Sequence, residues 1–116
     1  MDNIKSSKYD LEERTFLFAK RVKSYIQQLP KSTSNIEYTK QLVRSSGSVA
    51  ANYIEANESL SRKDYLLRVK ICRKEAKETR LWLKLIESNS TTENELIREV
   101  DELMRIFGAI ITKTRV

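Results

Sequence analysis

Six cations stand out as residues able to do chemistry together: Lys63, Lys70, Arg73, Lys77, Arg80 and Lys84. They recur in steps of three, four and seven, and at 100° per residue they share about a quarter of a helix circumference. Such a row can neutralise phosphates or meet an acidic protein face. It can equally be an ordinary solvated face, and the row alone does not choose between these. Glu75 and Glu78 lie off the row, so they do not neutralise it.

Other chemistries are thin. The chain has no histidine, which removes the usual general base near neutral pH and the commonest metal ligand. Its one cysteine, Cys72, cannot form an internal disulfide or a thiolate zinc site. Gly47 and Gly108 both fall within predicted helices, so there is no glycine-rich phosphate loop. Glu55, Glu75 and Glu78 lack the histidine partners of a carboxylate di-metal bundle. The expectation is a protein that is not an enzyme, with no metal and no cofactor.

Charge is concentrated. The net charge is +6 over 116 residues. Segment 62–87 has nine basic and four acidic residues, hence +5. Segment 92–111 sets Arg98 and Arg105 against five acids, hence −3. A positive field focused on one helix favours a polyanion, RNA or DNA, or an acidic protein partner. No apolar run approaches the roughly 20 residues of a membrane span. The polar, acidic N-terminus is unlike a signal peptide. A cytoplasmic location with no membrane contact is expected.

The elements that must position the cations are helices. Gly and Pro total three residues, which argues against turn-rich β structure. The spacing predicts four helices, at about 10–29, 35–57, 62–87 and 93–111, in one domain spanning 1–116. Residues 1–9 are expected to be a loose lead-in. Capping boxes are expected at Asp10 with Glu13, Ser34 with Glu37, Ser61 with Asp64 and Thr92 with Glu95. The expected seams are Leu11, Thr15, Phe18, Val22, Tyr25 and Leu29, widened by Phe16, Ala19 and Ile26, then Ile36, Val43, Gly47, Ala50 and Ile54, broadened by Leu42, Val49 and Tyr53. Tyr65, Val69, Cys72, Ala76, Thr79, Leu83 and Ile86 form the third, and Leu96, Val100, Leu103, Phe107 and Ile110 the fourth, flanked by Ile97, Met104 and Ile111. Leu67, Ile71, Trp82 and Leu85 make a further apolar flank on the third helix, buried inside the bundle or between subunits. In the second helix, Gly47 is expected to allow close approach of another helix. Ser45, Ser48, Asn52 and Glu55 are read as a solvated polar face, with a strip between subunits as the alternative. Short loops make sequential helices antiparallel neighbours, so the fold class is all-α, an up-down-up-down four-helix bundle.

The stretch from Gln41 to Ile86 also carries a resemblance. A small-residue run ending in Ser48 leads to Asn52-x-x-Glu55-Ala56, then Ser59 and Lys63-Asp64-Tyr65-Leu66. Lys74-Glu75-Ala76-x-Glu78-Thr79 and Trp82-Leu83 follow. This block resembles the bacterial four-helix-bundle proteins encoded within intervening sequences of 23S ribosomal RNA genes. The accessory variability determinants of diversity-generating retroelements belong to the same group. Ala56 stands where the family often has Gly. The resemblance implies a four-helix bundle assembled as a homopentameric ring, cytoplasmic and non-enzymatic. For the retroelement relatives it implies a basic surface engaging nucleic acid and a reverse transcriptase. It marks Ser48, Asn52, Glu55, Glu75 and Trp82 as motif positions with a structural or interface role.

Two functions are carried forward. One is an oligomer binding nucleic acid, RNA first, through the six cations, with Arg44 and Arg68 as weaker contributors. The other is an interaction scaffold docking an acidic partner, such as a reverse transcriptase or the acidic fourth helix of a neighbouring subunit.

Overall fold

Chain chemistry without internal helix breakers gives four long helices in the computed structural model: α1 (Asn3–Gln27), α2 (Thr33–Asn57), α3 (Arg62–Ile86) and α4 (Thr91–Thr114). The structure describes residues 3–114, with side chains from Leu11 onward. Among these residues there is no strand, and no helix is long and apolar enough to cross a membrane. The core is one cluster drawn from all four helices, with Phe18, Leu42, Val69, Leu83, Leu96 and Phe107 essentially sealed from solvent. Contacts run α1 to α2, α2 to α3, α3 to α4 and α4 to α1, which closes the bundle.

The helix ends differ from expectation in three places. α1 begins at Asn3 rather than near Asp10, because the segment before Asp10 holds no Gly or Pro to stop it. Asp10 and Glu13 are therefore helix interior, not a cap. α2 is capped by Ser32, whose hydroxyl accepts from the Asn35 N–H at 3.1 Å. The Asn35 amide reaches back to the Pro30 carbonyl at 3.0 Å, and this pair displaces Ser34 with Glu37. For α4, Ser90 accepts from the Glu93 N–H at 3.1 Å and takes the place expected for Thr92 with Glu95. Ser61 caps α3 as expected, accepting from the Asp64 N–H at 3.1 Å.

Glu93 shows why its box wins. Its carboxylate accepts from the Ser88 N–H at 2.7 Å, the Asn89 N–H at 3.3 Å and the Tyr25 hydroxyl at 3.0 Å. Left-handed backbone at Glu87 and Asn89 turns the chain around this one buried carboxylate. The α3–α4 turn is thereby tied to the end of α1. Burial pushes the Tyr25 hydroxyl up to about 12.

The faces of α1, α3 and α4 follow the predicted seams, with Ile111 rather than Ile110 fully buried in α4. α2 does not. Its buried face is Leu42, Ser45, Ser46, Val49, Tyr53 and Ala56, while Ile36, Val43 and Ile54 stay about half exposed. Two apolar stripes compete on this helix, and the one containing small serines wins because it lets α3 approach. At Ser45, the Thr79 hydroxyl donates at 2.8 Å in a fully buried contact. Gly47 is not the point of close approach, since a Cβ there would meet nothing within 4 Å.

Candidate nucleic-acid interface

α3 is held between α2 and α4, and its two polar flanks are built differently. On the α2 side the polar groups are consumed by structure. Arg44 donates to Glu75 at 3.3 Å and to Glu78 at 3.0 Å. Arg68 donates to the Asn52 carbonyl oxygen at 3.0 Å. The Asn52 amide donates in turn to the Ser48 carbonyl at 2.9 Å and hydroxyl at 3.0 Å. Thr79 and Cys72 continue the seam inward, the thiol donating to the Val49 carbonyl at 3.5 Å. Burial pushes the Cys72 thiol up to about 12, as befits a packed small side chain. Along this seam the α2 partners rise from 44 to 52 while the α3 partners fall from 78 to 68.

The five motif positions divide accordingly. Ser48, Asn52 and Glu75 belong to this seam, so the expectation of a solvated face fails for Ser45, Ser48 and Asn52. Glu55 is exposed, and its carbonyl accepts from Ser59 at 3.1 Å. Trp82 is half-buried against Tyr38, with ring centroids 6.1 Å apart and its indole N–H buried without a partner. The flank around Trp82 stays open, with Leu67 and Leu85 exposed.

On the α4 side the cations are left over. Lys63, Lys70, Arg73, Lys77 and Lys84 are exposed and make no ion pair among the described residues. Arg80 departs from the group: its Nε donates to Asp101 at 2.6 Å. Arg44 and Arg68, the weaker candidates, are engaged on the other flank.

The acids of α4 explain the surplus, because each is satisfied within the chain. Glu93 closes the turn, and Glu95 accepts from Arg21 at 2.9 Å. Glu99 takes both Arg14 nitrogens at 2.8 and 3.0 Å. Asp101 takes Arg80, and Glu102 takes Arg105 at 2.9 Å. Arg105 holds the Glu102 carboxyl below its usual range. Apart from Asp101, the acids of α4 therefore face α1, its own arginines or the α3–α4 turn, leaving five of the six α3 cations unneutralised among the described residues.

One α4 arginine reaches the predicted row: Arg105, paired with Glu102, shares an open cleft with Arg73, Asp101, Met104 and Gly108. Arg98 is exposed and unpaired among the described residues, in a cleft with Arg14 and Arg21 of α1. The helix-period spacing of Arg98, Asp101 and Arg105 was visible in sequence, but which side of α4 met α3 was not. No group of three or more His, Cys, Asp or Glu side chains comes together as metal ligands would among the described residues.

The sequence model of the 23S rRNA-intervening sequence protein family matches residues 7–113 of this chain. No curated protein matches it. Among solved structures it is similar to a protein of unknown function from the S23 ribosomal protein family of Bacteroides thetaiotaomicron VPI-5482. The two are 26% identical with a TM-score of 0.76, over 87% of this chain and 97% of that one.

Proposed function

The chain belongs to the 23S rRNA-intervening sequence protein family, and we propose that it is a non-catalytic, oligomeric protein that binds nucleic acid, RNA foremost, in the cytoplasm. The binding surface is the α3 face bearing Lys63, Lys70, Arg73, Lys77 and Lys84. The carrying observation is the asymmetry of charge: these five cations are exposed and make no ion pair among the described residues, while every acid of the neighbouring α4 is already bonded inside the chain. That satisfaction also argues against docking the row on α4 of another subunit. Phosphate contacts of this kind give affinity that falls with salt and little sequence specificity.

Oligomerisation is supported by the apolar surface left uncovered. One patch holds Ile36, Val43 and Ile54 on α2, and a second holds Leu67, Leu81 and Leu85 on α3. Two unlike patches suit a head-to-tail contact, which closes into a ring; the resemblance implies five copies. Within each copy, the falling register of α2 against α3 supports the up-down-up-down course. A ring multiplies the basic row, and several rows on one RNA add avidity.

The test is light-scattering chromatography of nuclease-treated protein, with and without a structured RNA. The expected result is a ring-sized particle that shifts on adding RNA and shifts less as salt rises. A ring indifferent to RNA would move the row to the second reading, an acidic protein partner such as a reverse transcriptase. The exposed leucines beside the row favour that reading over a solvated face.

A further inference from the structure

We infer that the nucleic acid taken by the α3 face is double-stranded, a duplex or the stem of a folded RNA, held by its backbone. The inference rests on the reading of that face as a nucleic-acid surface.

Surfaces that hold single strands stack bases on exposed aromatic rings. The α3–α4 face offers none. Among residues with described side chains, Phe16 alone of the aromatics is exposed, and it lies on α1 with the Lys20 ammonium 5.8 Å from its ring centroid. Trp82 is half-buried against Tyr38 on the opposite flank of α3, and Phe107 of α4 is sealed in the core. α3 also carries no Asn or Gln, the side chains suited to adenine edges. What the face offers is charge without stacking.

Its spacing is fixed. Lys63, Lys70, Lys77 and Lys84 recur every seven residues on one unbroken helix. Neighbours are therefore about 10 Å apart and the row spans about 31 Å. The grooves of a B-form duplex are about 6–12 Å wide and its turn is roughly 34 Å, so adjacent lysines can reach phosphates on the two sides of one groove and the row matches about one turn. An A-form RNA stem likewise presents two fixed rows of phosphates, across a wide, shallow minor groove. A duplex presents phosphates already fixed at such separations. A single strand would have to be ordered along the row with no base contact to offset that cost.

The test compares an RNA duplex of about two helical turns with its separated, non-self-complementary strands, by fluorescence anisotropy at several salt concentrations. The expected result is about tenfold tighter duplex binding, with a steeper salt slope than either strand gives. Binding of either strand as tight as the duplex overturns this inference and leaves the nucleic-acid reading standing. No binding of duplex or strands at low salt overturns both.

Discussion

The two flanks of α3 carry similar residue types and use them in opposite ways. Toward α2, Arg44 and Arg68 are locked to Glu75, Glu78 and Asn52, and the buried Thr79–Ser45 contact lies beneath them. Toward α4, among the described residues, only Arg80 of the row is bonded and five cations remain free. The difference lies in the partners, because α2 supplies Arg44 to the α3 acids and the Asn52 carbonyl oxygen to Arg68, while of the α4 acids only Asp101 reaches α3. Counting charges along α3 cannot reveal this. The division of labour is a packed, polar seam on one side and an uncommitted field on the other.

Four changes should pull the flanks apart, the largest effect first. Raising pH attacks the packed interior, at Cys72 in the seam and at Tyr25 beside the α3–α4 turn. Cys72 and Tyr25 hold their protons to about 12 when folded, above their ordinary values of 9.0 and 10.0. The unfolded chain releases those protons first, so stability is intact below about pH 9 and falls progressively up to about pH 12. Circular-dichroism melts from pH 8 to 11 should show a falling midpoint, and a flat profile would mean these groups are not buried as described.

Thr79→Val removes the buried bond to Ser45 and should cost about 1–3 kcal/mol. The midpoint would drop by about 4 °C per kcal/mol, with RNA affinity unchanged. An affinity loss at unchanged stability would contradict the seam's purely structural role.

Gly47→Ala probes the uncovered stripe of α2. No neighbour meets a Cβ there, so the subunit should gain up to about 1 kcal/mol from helix propensity. If a second copy covers the stripe, the same change weakens assembly, which dilution-dependent light scattering reads separately from the melt. Asp101→Asn is the mildest. It frees Arg80 and removes an anion, so RNA should bind a few-fold tighter while stability changes by no more than about 1 kcal/mol. Weaker binding would show that the Arg80–Asp101 pair positions the row instead of subtracting from it.

Sequence periodicity was enough to find four helices, three of their four buried faces and the Ser61 cap. It misled at α2, where Ile36, Val43 and Ile54 have the same helical spacing as the true core face. Deciding between two apolar stripes needs the shape of the neighbour, here an α3 that fits against Ser45 and Val49. The caps at Ser32 and Ser90 were obscured by nearby serines and threonines, and a local bond from Asn35 to Pro30 and a tertiary bond from Tyr25 to Glu93 settled them. The row itself was legible residue by residue. That Arg80 drops out depended on how α4 turns about its axis.

The most direct test is the double reversal Lys70→Glu with Lys77→Glu, titrated with RNA across a salt series beside the unaltered protein. The account predicts the same circular-dichroism melt, binding weakened by more than tenfold at low salt, and a salt slope shallower by about 2, one per lost phosphate contact. Unchanged affinity and slope in a folded double variant would contradict the assignment of this face.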